Sequence, residues 1–481
     1  MNLKVVTRNV GIALLLNALF MYISAIVSAI YDFDASFSPL LLSAIITTVA
    51  GSFPLIFVTK FYAINIKEGF TIVISAWILS CLFGMLPYVL FGGEFSIVDS
   101  WFESVSGYTT TGGTSLVNVE AVPKGLLFWR SSTHWLGGLG VVLFMLLVLP
   151  SVSTFRMRLS KMEISSLSKE NFKFKAHQTV RVISIVYLGL TIFQTGFLML
   201  AGMNLFDAVN HSFSTVSTGG FSTKNLSILH YDSFSIELIL MVFMTLSGMH
   251  FGLLYSVVAG RSANLFKSSI VRFYLSSLFL GGIVLSLYLK FTGVVEPWDM
   301  AFRQGFFQVI SLGTTTGFAT ADSSVWPPFA ILLLIYFCFQ CACSGSTTGG
   351  LKADRVYIFF LSLKAQIRKQ IHPNAVVATK IDSHTLDKDL VYNVNLYIAL
   401  YILIVFVATV LLSLMGINME DSFSSSVASM GNVGPGFGSV GSMGNYSHFP
   451  DAAKILLSVQ MLLGRLEIYS LLLIFVLYRW R

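Results

Sequence analysis

The sequence predicts an all-α polytopic membrane protein. Four pseudo-symmetric repeats, each a membrane helix, a short re-entrant helix and a second membrane helix, are predicted to follow two N-terminal transmembrane helices. Three observations support this fold class. The composition is too apolar for a soluble surface, the apolar residues form segments of membrane length, and four short polar segments between them resemble one another.

The overall composition places most of the chain in a bilayer. Hydrophobic residues make up 55% of the 481 residues, charged residues make up only 11%, and the mean hydropathy is +0.77. A soluble domain is typically about a quarter charged, so the ordinary water-soluble class is excluded. The length suffices for roughly ten spans of about twenty residues each, together with their loops.

Apolar segments mark the candidate spans. They lie near 10–31, 39–60, 69–91, 124–150, 178–201, 233–259, 270–291, 327–343, 351–371, 391–416 and 452–479. The first is too long for the apolar core of a signal peptide, so a retained helix is predicted. The segments at 327–343 and 351–371 flank the run CSGSTTGG, which cannot continue a lipid-facing helix. These two are therefore predicted to be one broken helix that leads into the cytoplasm.

The distribution of charge predicts the orientation. Lys and Arg cluster in segments that alternate with acidic loops, and by the positive-inside rule both termini are predicted to be cytoplasmic. The basic segments lie before residue 10 and at 60–67, 156–181, 261–272, 352–388 and 479–481. The acidic loops then face outward. They are either ordinary solvated loops or a negative outer mouth that concentrates cations.

Internal similarity is the strongest signal in the chain. Four segments each start with an acidic residue near a predicted helix start, run for two to three turns, and end in Thr, Ser or Asn with Gly. They lie at 95–116, 205–226, 298–322 and 419–440. The predicted units are an N-terminal two-helix unit at 1–66 and repeats at 67–150, 176–260, 268–372 and 389–481.

A short helix followed by an extended loop with glycine is typical of a cation filter. A helix that ends at mid-membrane directs its unpaired carbonyls and the negative end of its dipole there. The loop returns with extended backbone, which is tolerated only where it lines a wet cavity, and glycine allows neighbouring loops to approach closely. Four such loops around one pore can replace an ion's hydration shell with carbonyl oxygens. A single cluster is more simply a helix cap or a packing face of small residues, but four occurrences favour the filter.

The motifs TTTGG, STGGFST, TTTGF and NVGPGFG, in this order, resemble the four filter loops of the TrkH, KtrB and HKT superfamily of potassium transporters. HWLGGLG at 134–140, CSGSTTGGLKADR at 343–355 and GRLEIYSLLLIF at 464–475 are similar to further motifs of that superfamily. The resemblance begins near residue 67 and reaches the end of the chain. The two additional N-terminal spans resemble the TrkH type rather than the shorter KtrB type.

The resemblance implies potassium uptake across the bacterial inner membrane through a channel-like pore, with K+ as the transported ion. The potassium-binding filter residues would be Thr110, Thr111, Gly112, Thr218, Gly219, Gly220, Thr315, Thr316, Gly317, Asn432, Val433 and Gly434. In the plant relatives a serine at the first glycine position goes with sodium permeation, so Gly112 favours potassium. Gly219 in loop two, and Asn432 with Val433 in loop four, depart from the Thr-Thr-Gly pattern, so the four-fold symmetry is approximate.

The resemblance also implies an intramembrane gating loop below the filter. Its residues are Cys343, Ser344, Gly345, Ser346, Thr347, Thr348, Gly349 and Gly350. A simple kink is the alternative. Arg465, a lone charge in the last span, needs a partner or water, and Glu467 at i+2 lies on another helix face. By resemblance Arg465 projects into the pore near the gating loop and raises a barrier to cations; the alternative is a structural bridge between helices.

Partners follow from the resemblance as well. The chain has no nucleotide-binding loop, so no organic cofactor is expected on it. A cytosolic TrkA-like ring that binds nucleotides is expected under a homodimer of this chain. The basic loops at 156–181 and 352–388 would dock that ring or face anionic membrane lipid. No nucleic-acid partner is expected.

Two other function classes are alternatives to the channel-like pore. A secondary cation symporter also uses broken helices and midplane sites, but four-fold rather than two-fold repetition argues against it. A membrane enzyme is disfavoured, because His134, His211, His250 and His372 are scattered, and neither an HExxH motif nor clustered carboxylates lie in a span.

Overall fold

The structure is a computed structural model that describes residues 2–58, 66–148, 176–258, 267–374, 377–382 and 384–469. The regular secondary structure of these residues is helical, apart from one two-stranded antiparallel ribbon. Its strands, β1 (Lys380–Ile381) and β2 (His384–Thr385), pair Lys380 with Thr385 and Ile381 with His384.

The helices of the N-terminal half follow the predicted order. They are α1 (Leu3–Ile30), α2 (Phe37–Phe57), α3 (Ile66–Gly84), α4 (Leu86–Phe91), α5 (Ile97–Tyr108), α6 (Lys124–Val148), α7 (Ala176–Leu200), α8 (Leu205–Val216), α9 (Phe234–Ser247) and α10 (Phe251–Val258). The short helices α5 and α8 occupy the first two predicted re-entrant segments. A 3-10 turn follows each of them after its loop, at Val119–Ala121 and Ser227–Tyr231.

The C-terminal half repeats this arrangement. Its helices are α11 (Ser269–Phe291), α12 (Trp298–Gly313), α13 (Pro328–Gln340), α14 (Ala353–Ile371), α15 (Lys388–Leu414), α16 (Met419–Gly431) and α17 (Asp451–Arg465). Helices α12 and α16 occupy the other two re-entrant segments, and 3-10 turns again follow, at Ser323–Val325 and Gly438–Val440. We call α5, α8, α12 and α16 the re-entrant helices.

Six helical segments among the described residues are long and apolar enough to cross a membrane, so the chain is a multi-pass membrane protein. They are Leu3–Ile30, Phe37–Phe57, Lys67–Phe91, Arg181–Leu200, Ser269–Phe291 and Lys388–Leu414. Three other predicted spans differ in character. Helix α6 and helix α17 carry buried charged residues on faces that other helices cover, and α13 is short.

The second span of repeat two, predicted as one apolar segment at 233–259, is not one continuous helix. Helices α9 and α10 are bent by 106° at a break between Ser247 and Phe251. The predicted break in repeat three is present, because α13 ends at Gln340 and α14 begins at Ala353. The described part of the chain therefore has a broken second helix in two successive repeats.

The loop between the first two helices ties the N-terminal unit to repeat one. The Asp34 carboxylate accepts hydrogen bonds from the Ser36 main chain (3.0 Å) and from the Gly125 main chain at the start of α6 (3.1 Å). Partial burial raises the pKa of Asp34, but hydrogen bonds from Ser28, Ser36 and these main-chain donors outweigh it, so the pKa lies below its ordinary value.

Helices α1 and α2 cross at a pair of glycines. A Cβ atom built on Gly51 would lie 2.9 Å from the carbonyl oxygen of Gly11 and 3.1 Å from Leu15, and one built on Gly11 would meet the carbonyl oxygen of Gly51. The two backbones are therefore in direct contact, which is typical of small-residue packing in membranes.

We expect Gly51→Val to separate these helices. Overpacking a tight contact costs about 1–3 kcal/mol, so the thermal midpoint of the purified protein in detergent should fall by several degrees. The matched control is Gly189→Val on α7, where a Cβ atom would meet nothing within 4 Å. Equal midpoints for the two variants would contradict the packing argument.

Candidate functional site

The re-entrant helices begin with a shared capping arrangement. In three of them the cap side chain accepts a hydrogen bond from the main chain of an aspartate three residues on, and that carboxylate accepts one from the cap side chain in return. The pairs are Ser96 with Asp99, Asn204 with Asp207 and Asn418 with Asp421. Helix α12 instead starts after Pro297 and has Asp299 in its first turn. The predicted acidic helix starts are thus N-terminal caps.

The re-entrant helices all end in the same backbone bend. The first residue of each predicted filter triplet has positive φ: Thr110 (52°), Thr218 (58°), Thr315 (56°) and Asn432 (54°). Two residues later a glycine has positive φ again: Gly112 (83°), Gly220 (82°), Gly317 (79°) and Gly434 (96°). A residue other than glycine is strained in this region. The four triplets therefore have equivalent geometry as well as equivalent sequence.

The four bends form a closed ring. A Cβ atom built on each of the four glycines would overlap the carbonyl oxygen of the residue before the glycine of the next loop. The contacts are Gly112 with Gly219, Gly220 with Thr316, Gly317 with Val433 and Gly434 with Thr111. Because the fourth contact returns to the first loop, the loops surround one centre. All four glycines also line a single cleft.

Hydrogen bonds between side chains stabilise these bends. Thr109 and Thr111 pair through their side-chain oxygens (2.8 Å), and Thr314 and Thr316 do the same in loop three (2.9 Å). The Asn432 side chain donates to the Thr111 hydroxyl (3.0 Å), which joins loop four to loop one. The Thr, Asn and Val residues of the four triplets are buried, whereas Gly112, Gly220 and Gly317 are partly exposed in the cleft.

A buried ion pair ties loop one to loop two. The Arg130 guanidinium on α6 lies 3.0 Å from the Glu103 carboxylate on α5, and it also donates to the Ser222 carbonyl in loop two (3.2 Å). Glu103 in turn accepts from the Ser115 main chain (2.8 Å) and from the Thr114 hydroxyl. The desolvated charges are thus paired and hydrogen-bonded, as a buried pair requires.

Polar contacts also join the other neighbouring repeats. Lys454 of α17 pairs with Asp99 of α5 (2.7 Å), which links repeat four to repeat one. Arg303 of α12 pairs with Glu237 of α9 (2.6 Å), which links repeat three to repeat two. Repeats three and four meet where the Ser323 and Ser442 hydroxyls pair (2.8 Å). Sequence reasoning missed these partners, although lone charges in apolar segments indicated that partners were needed.

The predicted negative mouth does not line the cleft over the filter. The charged residues that line it are Arg130 and Lys224. Arg130 is paired with Glu103, and Lys224 lies 3.9 Å from Asp207. Asp99, Asp207 and Asp421 bond to the cap side chains of their helices and so have structural roles. Whether the outer acidic residues form solvated loops or a negative mouth stays a prediction.

The predicted gating loop lies against the inner ends of the re-entrant helices. The Thr347 hydroxyl donates to the Val216 carbonyl at the end of α8 (3.0 Å). A Cβ atom built on Gly349 would overlap the Asn432 side chain of loop four. The segment therefore contacts the end of α8 and loop four.

Main-chain hydrogen bonds connect this loop to the break in repeat two. The Cys343 N–H donates to the Gly248 carbonyl (3.0 Å), and the Phe251 N–H donates to the Gly345 carbonyl (3.1 Å). The Asp354 carboxylate of α14 accepts from the Ser344 main chain (3.0 Å). The two irregular segments thus satisfy each other's backbone groups, as membrane depth requires. The sequence run SGMHFG at 247–252 is the signal that could have revealed this second break.

Arg465 reaches the gating loop. Its buried guanidinium donates to the Thr347 carbonyl and to the Gly137 carbonyl on α6 (3.0 Å). Glu467 is not its partner, as predicted, because that carboxylate pairs with Arg355 and lies 3.8 Å from Lys352. Arg465 is therefore held by neutral main-chain acceptors on two elements.

Comparisons with known proteins agree with this architecture. The model of the TrkH family, described as a cation transport protein, matches residues 40–479. The Trk system potassium uptake protein TrkH of Escherichia coli K12 is 34% identical over 86% of both chains. The protein of that name from Halomonas elongata is also 34% identical, over the full length of both chains.

The fold has a counterpart among solved structures. The crystal structure of the potassium transporter TrkH from Vibrio parahaemolyticus matches all of this chain with a TM-score of 0.91 and 30% identity. This match confirms the predicted fold class, and the family match covers more than half of the sequence. The chain therefore belongs to the TrkH family of cation transport proteins.

Proposed function

We propose that this chain takes up potassium through a channel-like pore whose selectivity filter is the ring of four glycine bends. The observation that carries the proposal is the closed cycle of contacts from Gly112 through Gly220, Gly317 and Gly434 back to loop one. The names of the relatives, which are potassium uptake proteins, support the choice of ion.

The ring suits a dehydrated cation. Four re-entrant helices end at it, and each directs its unpaired carbonyls and the negative end of its dipole toward the centre. The loops supply main-chain oxygens in place of water. The binding residues in this proposal are those of the four triplets, Thr110–Gly112, Thr218–Gly220, Thr315–Gly317 and Asn432–Gly434.

The segment from Cys343 to Gly350 serves as the gate in this proposal. It contacts the end of α8 and loop four, and Arg465 bonds to it through the Thr347 carbonyl. A buried cation bound only by neutral oxygens keeps its full positive charge near the ion path, which opposes the entry of K+. Opening would require that the segment and this charge move together.

The cellular setting remains part of the proposal. The protein would lie in the bacterial inner membrane with both termini cytoplasmic, as a homodimer in contact with lipid and with a cytosolic TrkA-like nucleotide-binding ring. The chain itself would bind no organic cofactor and catalyse no reaction. A secondary cation symporter is the second class, and single-channel current steps in a planar bilayer would separate the two, because alternating access gives none.

The filter assignment is tested with Gly112→Ser in cells that lack their own potassium uptake. The new side chain would overlap the Gly219 carbonyl and open the ring, so the ratio of potassium to sodium uptake should fall by roughly tenfold. The matched control is Gly416→Ser. Gly416 also has positive φ (88°), but a Cβ atom there would meet nothing within 4 Å.

The control should keep the uptake ratio of the parent. If Gly112→Ser keeps it as well while reaching the membrane in normal amount, the filter assignment is wrong. If the parent chain takes up no potassium in these cells, the proposed function itself fails.

The role of Arg465 is tested by leakage of K+ from loaded proteoliposomes that contain the purified chain alone. We expect Arg465→Ala to increase leakage at least about tenfold, because a unit charge near the ion path is worth more than about 1.4 kcal/mol. Arg465→Lys keeps the charge and is the control, with leakage near that of the parent. Equal leakage from the Ala variant and the parent would contradict the barrier role and favour the alternative, a structural bridge between helices.

A further inference from the structure

We propose that His134 is a positioning residue for the second filter loop, and that its imidazole replaces a side chain which this loop lacks. This inference rests on the proposed filter function. His134 lies on α6, outside the loop that it would support, and it is fully buried. The four loops differ at the residue that precedes the filter glycine, and in what packs against that residue.

That residue has a side chain in three of the four loops. Thr111 in loop one and Thr316 in loop three bond to the hydroxyl of the threonine two residues earlier, at 2.8 and 2.9 Å. Val433 in loop four packs a methyl group near Gly431. Loop two has Gly219 at this position, so it has no side chain with which to fill the space behind its own bend.

The His134 ring occupies this space. A Cβ atom built on Gly219 would overlap the imidazole, whose Cγ, Nδ1 and Cε1 atoms are the nearest heavy atoms. A threonine or valine therefore cannot stand at position 219 while His134 is present. The departure of loop two from the Thr-Thr-Gly pattern is thus matched by a bulky residue on the neighbouring helix.

A serine hydrogen bond that two other loops make also differs in loop two. Six residues before the filter glycine, Ser106 and Ser311 donate to the carbonyl of the residue after that glycine, each at 2.6 Å. Ser214 is the equivalent serine in loop two, and its hydroxyl pairs with His134 Nδ1 (3.3 Å). Phe221, which follows Gly220, stacks on the His134 ring with centroids 3.9 Å apart and planes 13° apart.

Arg130 contacts the other face of the Phe221 ring, so this ring lies between His134 and Arg130. The guanidinium carbon lies 3.5 Å from the Phe221 ring centroid, and two groups this close to one ring must occupy opposite faces. His134 itself is fixed by the helix that carries it, because Gly137 and Gly138 bring α6 into direct contact with Tyr108 and Ser217. The imidazole therefore contacts loop two before, at and after its bend.

Removing the His134 imidazole should change the geometry of the filter. The Gly219 carbonyl is the oxygen against which Gly112 of loop one packs, so its position depends on what lies behind Gly219. An empty space of imidazole size lets the loop relax, because packed interiors respond to lost volume. We expect ion discrimination to change rather than transport alone.

The test is a double-mutant cycle in cells that lack their own potassium uptake, with potassium and sodium uptake and the amount of protein in the membrane measured together. His134→Ala should lower the ratio of potassium to sodium uptake by roughly tenfold, as for other residues in direct contact. Gly219→Thr alone should abolish uptake, because it overlaps the ring. The double variant should recover a ratio within about threefold of the parent, since Thr fills the space as in loops one and three.

Trp135→Phe is the matched control, because Trp135 is the next residue on α6 and packs on Tyr187 and Phe213 instead. It should keep the uptake ratio of the parent. The inference is overturned if His134→Ala leaves the uptake ratio unchanged, or if the double variant takes up potassium no better than Gly219→Thr alone. In either case, potassium uptake by the parent would still support the proposed function. If His134→Ala fails to reach the membrane, recovery of the double variant supports the inference and its absence overturns it.

Discussion

The structure depends on one close approach, in which the backbone of each filter loop touches a carbonyl oxygen of the next. This approach leaves room for a hydrogen atom at Gly112, Gly220, Gly317 and Gly434 but not for a methyl group. These residues also have positive φ, which is a second reason why glycine is required there. Everything outside the ring serves to bring four helix ends to this distance. The capped starts of the re-entrant helices set their direction, and the contacts between repeats hold them against one another.

In the described part of the chain, buried charged residues pair where helices meet, both within repeat one and between repeats. Arg130 with Glu103, Lys454 with Asp99 and Arg303 with Glu237 lie where neighbouring elements meet, and each pair contains at least one buried side chain. Charges that are costly in an apolar environment become tolerable when paired, and their partners then specify which helices must be adjacent. The ring of loops is thus surrounded by polar contacts between helices.

Local features could be predicted from the sequence, and distant pairings could not. The re-entrant helices, the bends and the broken helix at 343–350 depend on nearby residues, namely acidic caps, glycines and a run of small polar residues. The break at Gly248 lies in a segment that is apolar on both sides, so the sequence indicated a single span without a break. The bond between Lys454 and Asp99 joins residues 355 positions apart, and no spacing rule relates them. The same holds for His134, which was noticed in a motif but not connected with Gly219.

The two hydrogen bonds between the gating loop and the repeat-two break have a mechanical consequence. As long as Cys343 remains bonded to Gly248 and Phe251 to Gly345, the loop cannot move unless α10 moves with it. If these bonds break instead, two amides and two carbonyls lose their partners and must be rehydrated by incoming water. In the proposed gating mechanism, clearing the ion path would therefore require either a coupled displacement of two repeats or the entry of water, and the eight residues could not rearrange alone.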